Sequence, residues 1–317
     1  MIPMSQSGSL RIGYLSTVYH TAFLLRGSDI LKDQDITAAW TLFPSGPDIV
    51  ASMQAGNLDL AYIGLPPVII GIDRGIPLAC IAGGHVEGTV MVAGGGIRSL
   101  HECASRGEFL AQFKGAAIGT PPRGSIHDVI VRDLLSAYQG SGIQVVNYPW
   151  ADFLPAALED GEIAAAAGTP ALAIAAERYG KARLVVPPDQ LWPWNPSYGI
   201  VVMRNLLANE DLLERFLRAH EAASQWIRQD PAGCARVVAG TTGFIDAPFA
   251  EAAYRISPKY CASLPPEYLA STERFAEKLF SLGYTKRKIS AGELFSPNLI
   301  NRIHKEPEHY SAGFSQA

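Results

Sequence analysis

A histidine and a glutamate stand close together in a glycine-flanked stretch, residues 83–88 (GGHVEG). His85 and Glu87 would supply an imidazole and a carboxylate, groups that can bind a metal ion or an organic ligand. The order His-Val-Glu matches the first half of a zinc-deaminase signature, but the proline-cysteine pair and second cysteine that complete it do not follow. We therefore predict that His85 and Glu87 contact a ligand without deaminase chemistry.

A second group of candidate residues lies in residues 120–128 (TPPRGSIHD). Ser125 followed by Asp128 resembles a capping box, which predicts a helix start whose free N–H groups face the loop. Such helix ends attract anions, and Arg123 would strengthen the attraction, although an arginine there can equally be a surface charge. The predicted ligand contacts of this loop are Arg123, Gly124, Ser125 and His127.

Three further loops follow predicted strands, at residues 16–20 (STVYH), 45–48 (SGPD) and 64–67 (GLPP). The first offers hydroxyl groups and rings, the second suits a helix start with outward N–H groups, and the third lets a ligand approach the backbone. Helix capping alone would explain the serine and threonine residues equally well. The candidate contacts are Thr17, Tyr19, His20, Ser45, Gly46 and Gly64.

Aromatic side chains cluster in residues 191–198 (LWPWNPSY). Tryptophan is costly to leave exposed in a proline-rich connection, so these rings either pack beneath it or line a ligand cleft. Trp194 and Tyr198 are the candidates for contact with a ligand.

Several enzyme classes are excluded because their motifs are missing. The sequence has no serine-hydrolase elbow, HExxH helix, Walker loop or paired CxxC ligands. Residues 94–99 (GGGIRS) begin like a dinucleotide-binding fingerprint but end in serine. The four cysteines lie too far apart for a zinc or redox pair and are interpreted as packing residues. We predict no catalytic residue, no cofactor and no bound metal.

Charge and hydropathy exclude two classes of partner. Twenty-six basic and thirty acidic residues give a net charge of −4 without a run of lysine or arginine, which argues against nucleic-acid binding. No stretch reaches the ~18 apolar residues that a membrane helix needs. Residues 1–9 lack the basic and apolar regions of an export signal. The protein is then cytosolic, or an export signal lies outside this sequence.

Short runs rich in valine, isoleucine and tyrosine alternate with segments of helical period, which predicts an α/β protein with a largely parallel sheet. After residue 203 the pattern is helical only, with one buried stripe that includes His220. Since ligands bind beyond the carboxyl ends of parallel strands, the loops above would form the walls of one site. The predicted strands cover residues 10–15, 37–43, 58–63, 78–82, 90–93, 116–119, 144–148, 163–167, 184–186 and 199–203.

One pattern occurs twice, in residues 53–66 and 158–170: a helix end, a glycine, a short strand, then a small residue and a proline at the next helix start. The two copies predict two lobes of the same design, although αβ units can also look alike by chance. The chain would cross between the lobes at residues 94–96 and 187–196. The predicted lobes are residues 1–93 with 200–317, and residues 94–199.

Together these segments resemble the periplasmic substrate-binding proteins of ABC importers for nitrate, sulfonates, taurine and thiamine-pyrimidine precursors. The resemblance covers roughly residues 10–200, and the helical tail agrees in character only. It rests on residues 45–47 (SGP), 55–64 (AGNLDLAYIG), 75–78 (GIPL), 113–119 (FKGAAIG), the helix start at Gly124 and Ser125, and the second copy around Gly161.

The resemblance implies the type II periplasmic-binding-protein fold, a two-lobed flytrap with a helical C-terminal tail that closes over a small solute. It also implies a membrane permease that reads the closed form transiently, an extracytoplasmic location, and a monomer without enzymatic activity. The His-Val-Glu stretch is not a general feature of the family, so the ligand's identity does not carry over. By the family's pattern, the contacts would be Thr17, Tyr19, His20, Ser45, Gly64, His85, Gly124, Ser125 and Tyr198.

Three functions compete. A receptor for a small anionic or polar solute is favoured, with the anionic group at the 120–128 loop and an apolar body near Tyr19. The first alternative is an enzyme on the same fold, like the yeast-type pyrimidine synthase or the futalosine enzymes of menaquinone synthesis, because three histidines occupy strand-following loops. The second is a receptor for a metal or metal chelate. Its ligands would be His20, His85, Glu87 and His127.

Overall fold

The predicted apolar runs form strands throughout the part of the chain that the computed structural model describes, residues 9–136, 138 and 142–314. Residues 1–8, on which the prediction about an export signal rests, lie outside the described residues. Each of the ten predicted runs overlaps one strand, so these predictions are confirmed. The strands are β1 (Ser9–Leu15), β2 (Thr37–Phe43), β3 (Leu60–Ile63), β4 (Leu78–Val86), β5 (Val90–Gly94), β6 (Ala117–Thr120), β7 (Gln144–Asn147), β8 (Ala165–Gly168), β9 (Ala182–Val186) and β10 (Pro196–Met203).

Helices occupy the segments of helical period between the strands and most of the tail. None of those described is long and apolar enough to cross a membrane. The helices are α1 (Ala22–Gly27), α2 (Gly46–Gln54), α3 (Leu65–Asp73), α4 (Arg106–Ala111), α5 (Ile126–Ser136), α6 (Leu154–Glu159), α7 (Pro170–Tyr179), α8 (Pro188–Leu191), α9 (Glu210–Gln229), α10 (Pro231–Thr242), α11 (Ala247–Ile256), α12 (Pro266–Ser281), α13 (Ala291–Leu294) and α14 (Asn298–Ile303).

The strands form two five-stranded sheets, in the orders β2-β1-β3-β10-β4 and β7-β6-β8-β5-β9. The first three strands of each order run parallel, whereas β10 is antiparallel to β3 and β4, and β5 is antiparallel to β8 and β9. The expectation of a largely parallel sheet is thus corrected to two mixed sheets. Each lobe takes its antiparallel strand from the segment that enters it from the other lobe.

The chain passes between the lobes through two short segments. β4 belongs to the first sheet and β5 to the second, so the first passage is residues 87–89 rather than the predicted 94–96. β10 begins at Pro196 in the first sheet, so the return passage ends at the end of the predicted crossing, residues 187–196, and the first lobe resumes at residue 196 rather than 200. We propose lobe limits of 9–86 with 196–314 for the first lobe, and 90–195 for the second.

The duplicated sequence pattern corresponds to a duplicated local structure. Gly56 after α2 and Gly161 after α6 have φ angles of 75° and 73°, a left-handed conformation that glycine adopts without strain. Each glycine precedes the third strand of its sheet, β3 or β8, and each of those strands leads into a helix with proline in its first turn. The two lobes therefore share one design.

Helix α9 attaches the helical tail to the first lobe through a buried histidine. Nε2 of His220 donates to the carbonyl oxygen of Gly83 on β4, at 2.8 Å. Its Nδ1 lies 3.2 Å from the Tyr62 hydroxyl and 3.3 Å from Thr21 Oγ1, both of which can donate to it. Burial lowers the pKa of His220 to about 4, so the ring is neutral and satisfied on both nitrogens.

The return passage packs onto helix α12 through a tryptophan. Trp192 is 2% exposed and stacks on Phe275 with ring centroids 4.0 Å apart. Its Nε1 donates to Ser271 Oγ at 3.0 Å. Trp192 thus packs beneath the passage, one of the two placements expected for this aromatic cluster.

Replacing Trp192 should destabilise the protein strongly. Trp192→Ala leaves a cavity against α12 and removes the N–H that donates to Ser271, so we expect the free energy of unfolding to fall by about 3–5 kcal/mol in urea titrations. Tyr179→Ala is the matched control, because Tyr179 is 70% exposed. Equal effects of the two substitutions would contradict the packing described here.

Candidate functional site

A cavity lies between the two lobes, where the strand-following loops of both sheets meet. Its volume is about 70 Å³ in this arrangement of the lobes, far below the ~300–1,000 Å³ of sites for drug-sized ligands. The cavity therefore suits a small solute. Its lining residues are Leu15, Ser16, Thr17, Tyr19, His20, Pro44, Ser45, Gly46, Gly64, Pro67, Pro121, Pro122, Ser125, Ile126, His127, Ala151, Thr169 and Ser197.

Eight of the predicted contacts lie on this cavity, and they come from loops more than a hundred residues apart in the chain. They are Thr17, Tyr19, His20, Ser45, Gly46, Gly64, Ser125 and His127. The other six predicted contacts are not among its lining residues. They are His85, Glu87, Arg123, Gly124, Trp194 and Tyr198.

The N-termini of four helices, α2, α3, α5 and α7, are directed at the cavity. Ser45, Gly64 and Thr169 are the N-caps of α2, α3 and α7, and Ser125 immediately precedes α5. Ser45 Oγ accepts from the backbone N–H of Asp48, and Ser125 Oγ accepts from that of Asp128 at 3.3 Å. No lining residue carries a charged side chain, so the helix ends supply partial positive charge at the cavity wall. Asp48 and Asp128, in the first turns of α2 and α5, lie outside the lining.

Close packing at Gly64 shows how near the backbone comes to this space. A β-carbon at this position would lie 3.3 Å from the carbonyl oxygen of Ser197, tighter than most such contacts. A side chain at position 64 would therefore press on the backbone of β10. That a ligand approaches the backbone here stays a prediction.

His20 carries an unsatisfied nitrogen at the cavity wall. The residue is 2% exposed, and its Nδ1 has no hydrogen-bond partner. Burial, helped by the neighbouring His85, holds the pKa of His20 well below its ordinary value, so the ring is neutral. A buried polar nitrogen without a partner costs free energy, which a bound solute would recover.

His127 is the second imidazole on the cavity. Its Nδ1 lies 3.0 Å from Thr89 Oγ1, and burial lowers its pKa to about 3. Both cavity histidines are therefore neutral at physiological pH and contribute hydrogen bonds rather than charge.

His85 does not line the cavity but contacts Ser197, which does. Its Nε2 donates to the carbonyl oxygen of Ser257 at 2.6 Å, which leaves Nδ1 to accept from Ser197 Oγ at 3.1 Å. Ser197 Oγ also accepts the backbone N–H of Gly88 at 2.5 Å. Burial lowers the pKa of His85 to about 3. His85 thus orients Ser197, a lining residue that sequence reasoning missed.

Glu87 joins the two passages between the lobes. Its backbone N–H donates to the carbonyl oxygen of Asn195 at 2.7 Å, and its Oε1 accepts the backbone N–H of Trp194 at 3.1 Å. Its Oε2 lies 2.6 Å from Nζ of Lys259. Glu87 has a φ of 59°, a strained value for a residue other than glycine, which these contacts maintain. The carboxylate is therefore occupied within the protein.

Tyr198 and Trp194, predicted as cleft contacts, are placed behind the cavity wall. Tyr198 is fully buried, and its hydroxyl lies 3.1 Å from Thr21 Oγ1. Its ring supports that of His20, with centroids 4.1 Å apart. Trp194 packs edge-on against Tyr310. The Tyr198 ring therefore supports the site from outside the lining, whereas the Trp194 ring contacts the C-terminal tail.

Arg123 faces a different groove. Its guanidinium lies over the ring of Tyr284, 5.1 Å from the centroid, and lines a surface groove with residues of α2 and α3. The N–H of Gly124 donates to Asp128 Oδ2 at 3.0 Å, so this amide is also used internally. The positive potential of the cavity therefore comes from helix ends and not from an arginine.

Contacts between the lobes close one side of the cavity. Nε1 of Trp150 donates to Ser16 Oγ at 3.2 Å, and that hydroxyl lies 3.4 Å from Asp152 Oδ1. Burial raises the pKa of Asp152. Sequence reasoning missed these residues, although 150–152 follow the predicted strand at 144–148 and the rule used for the other loops would have found them.

The predicted metal ligands do not converge. His85 and Glu87 are occupied by protein partners. Among the described residues, the one group of side chains close enough together to hold a metal ion lies outside the cavity. That group consists of Cys261, His304 and His309.

Solved structures share this fold. The ligand-binding component of an ABC-type import system from Staphylococcus aureus, solved with zinc bound, is 15% identical and matches 95% of this chain and 100% of that chain with a TM-score of 0.78. The alkanesulfonate-binding protein of Xanthomonas axonopodis pv. citri is 18% identical and matches 93% and 100% at 0.76. The nitrate-binding protein of Synechocystis PCC 6803 is 12% identical and matches 98% and 92% at 0.76.

These similarities confirm the two-lobed α/β fold of periplasmic binding proteins that the sequence predicted. Curated proteins gave no match. The profile of the NMT1-like family matches residues 4–242, about three quarters of the chain. The chain therefore belongs to the NMT1-like family.

Proposed function

We propose that this protein is the solute-binding component of an ABC-type importer and that its solute is a small anion or a polar organic molecule with one anionic group. The observation that carries the proposal is the interlobe cavity, with four helix N-termini and neutral hydrogen-bonding groups on its wall. Such a wall binds one negative charge through backbone N–H groups. Nitrate, sulfonates, taurine and anionic pyrimidine precursors are the proposed solute class.

Similarity to importer components supports this assignment. The structures above are named as binding proteins for alkanesulfonates and nitrate and as an import ligand-binding component. In the proposed mechanism the protein works outside the cytoplasm as a monomer, and a permease receives the solute from the closed form. Closure follows from a higher affinity of the solute for the closed arrangement, because both lobes then contribute helix ends.

Buried neutral groups favour binding over catalysis. A general base needs a pKa near the working pH and access to the reacting atom. The pKa values of His20 and His127 lie far below that range, and His85 has both nitrogens occupied. The cavity wall offers hydrogen bonds without a group poised to move a proton.

A thermal-shift panel tests the proposal. Nitrate, alkyl- and arylsulfonates, taurine and carboxylates at ~100 times their dissociation constants should stabilise the protein by about 2.7 kcal/mol, a shift of several degrees. Ser125→Asp should abolish the shift, because a carboxylate at the start of α5 repels an anion in the cavity. Ser105→Asp is the matched control, since Ser105 caps α4 away from the cavity. Stabilisation by cations instead of anions would contradict the proposal.

His20 should contribute to affinity without contributing to stability. His20→Phe keeps a ring against Tyr198 but removes the unpaired Nδ1, so solute affinity should fall about 10–100-fold while the midpoint of urea unfolding is unchanged or higher. His85→Phe provides the contrast: it breaks the bonds to Ser257 and Ser197 and should destabilise the fold. Calorimetric titration and urea unfolding of both variants separate the two roles. Unchanged affinity in His20→Phe would remove that residue from the site.

Solute affinity should not change with pH over the range in which histidine side chains normally titrate. Because the cavity histidines stay neutral, the dissociation constant of a strong-acid anion should vary by less than about twofold between about pH 6 and pH 8. Stability should respond differently. The pKa of His127 falls from 6.5 to about 3 on folding, so the unfolded chain takes up the proton first and stability decreases as pH drops through that window. Tighter binding with an apparent pKa near about 6.5 would show a charged cavity histidine.

A further inference from the structure

Three side chains that can bind a metal ion meet in the C-terminal tail, outside the interlobe cavity. The donor atoms of Cys261, His304 and His309 all lie within 4.8 Å of one another. Sγ of Cys261 is 3.7 Å from Nε2 of His304 and 3.6 Å from Nδ1 of His309. Zinc–sulfur and zinc–nitrogen bonds of ~2.3 Å and ~2.0–2.1 Å at a tetrahedral angle place sulfur and nitrogen ~3.6 Å apart. Both sulfur–nitrogen distances therefore match those of a zinc site.

A carboxylate lies beside the nitrogen of each histidine that faces away from the cysteine. Nδ1 of His304 lies 3.0 Å from Oε2 of Glu221, and Nε2 of His309 lies 3.3 Å from Oε2 of Glu306. Histidines that bind metals generally donate their other N–H to a carboxylate or carbonyl, which fixes the ring and its tautomer. Both carboxylates are within reach for that role, while the other nitrogen of each ring is directed at Cys261.

Polar neighbours favour the thiolate that a metal requires. The backbone N–H of His309 donates to Sγ of Cys261 at 3.4 Å, and Ser263 Oγ lies 3.0 Å from the same sulfur. These two contacts favour a Cys261 thiolate, the form of the side chain that binds a metal ion.

We propose that Cys261, His304 and His309 bind one Zn²⁺ ion, with a water molecule as the fourth ligand. The site is structural. Cys261 is fully buried, so no substrate reaches its sulfur. The Tyr310 hydroxyl donates to the carbonyl oxygen of Cys261 at 2.6 Å, and the N–H of Gly83 on β4 donates to that of Ala262 at 2.9 Å. The ion would fasten the end of the chain to a segment that pairs with the outer strand of the first sheet.

Metal titration of the full chain tests this site. After chelation and buffer exchange, the protein should bind one Zn²⁺ per chain and gain several degrees of thermal stability. Co²⁺ as a probe should show thiolate-to-cobalt charge-transfer absorption and the intense bands of tetrahedral cobalt. Cys261→Ser should remove the charge transfer, and His309→Ala should weaken Zn²⁺ binding at least about 100-fold. His101→Ala, an exposed histidine outside the group, should bind Zn²⁺ like the parent protein.

Two results would overturn the site. One is a Co²⁺ complex without charge transfer in the parent protein, which would show that the Cys261 sulfur does not bind the ion. The other is equal Zn²⁺ affinity in His309→Ala and the parent. Since His309 is partly exposed, its replacement tests the site even if Cys261→Ser does not fold. Anion binding in the cavity, measured in His309→Ala, should be unchanged, so this proposal and the proposed transport function fail separately.

Discussion

The two-lobed arrangement depends on the contacts of Glu87 with the return passage. Glu87, on the first passage, bonds Asn195 through its backbone N–H and Trp194 through its carboxylate. The same carboxylate pairs with Lys259 in the tail. Three separate parts of the chain are thereby held at the point about which the lobes would move. The sequence predicted Glu87 as a ligand contact. In the structure its contacts instead hold the lobes in the arrangement that forms the cavity. Its strained backbone is maintained by those same contacts.

The cavity derives its electrostatic character from backbone rather than from charged side chains. Helix N-termini from both lobes supply partial positive charge, and neutral histidines and hydroxyls supply directed hydrogen bonds. A guanidinium would hold an anion strongly in either lobe alone. Helix ends on opposite walls act together only when the lobes approach, so affinity becomes coupled to closure. The proposed transport function requires such coupling, since a permease would have to distinguish loaded from empty protein.

Local sequence patterns predicted the features that depend on interactions between residues close in the chain. Apolar runs gave every strand, and the glycine-proline units gave the helix starts that line the cavity, because caps and turns are set within a few residues. The positions of side chains depended on partners that are distant in the sequence, which local patterns do not reveal. His85 is directed to Ser257, Arg123 lies over Tyr284, and the first passage is shifted to residues 87–89 because β5 pairs within the second sheet. The wide spacing of the cysteines led to Cys261 being interpreted as a packing residue. In the structure its neighbours are His304 and His309, more than forty residues further along the chain, and the five-residue spacing of these histidines was the available signal.

The position of β10 determines the order in which the sheets can be completed during synthesis. Every strand of the second sheet lies between Val90 and Val186, so that sheet can form as soon as this continuous segment has left the ribosome. The first sheet begins earlier in the chain but lacks the strand between β3 and β4 until residues 196–203 emerge. Its apolar edges stay open in the meantime. The nascent chain is thus most exposed to aggregation, and most dependent on chaperones, before its N-terminal lobe can close.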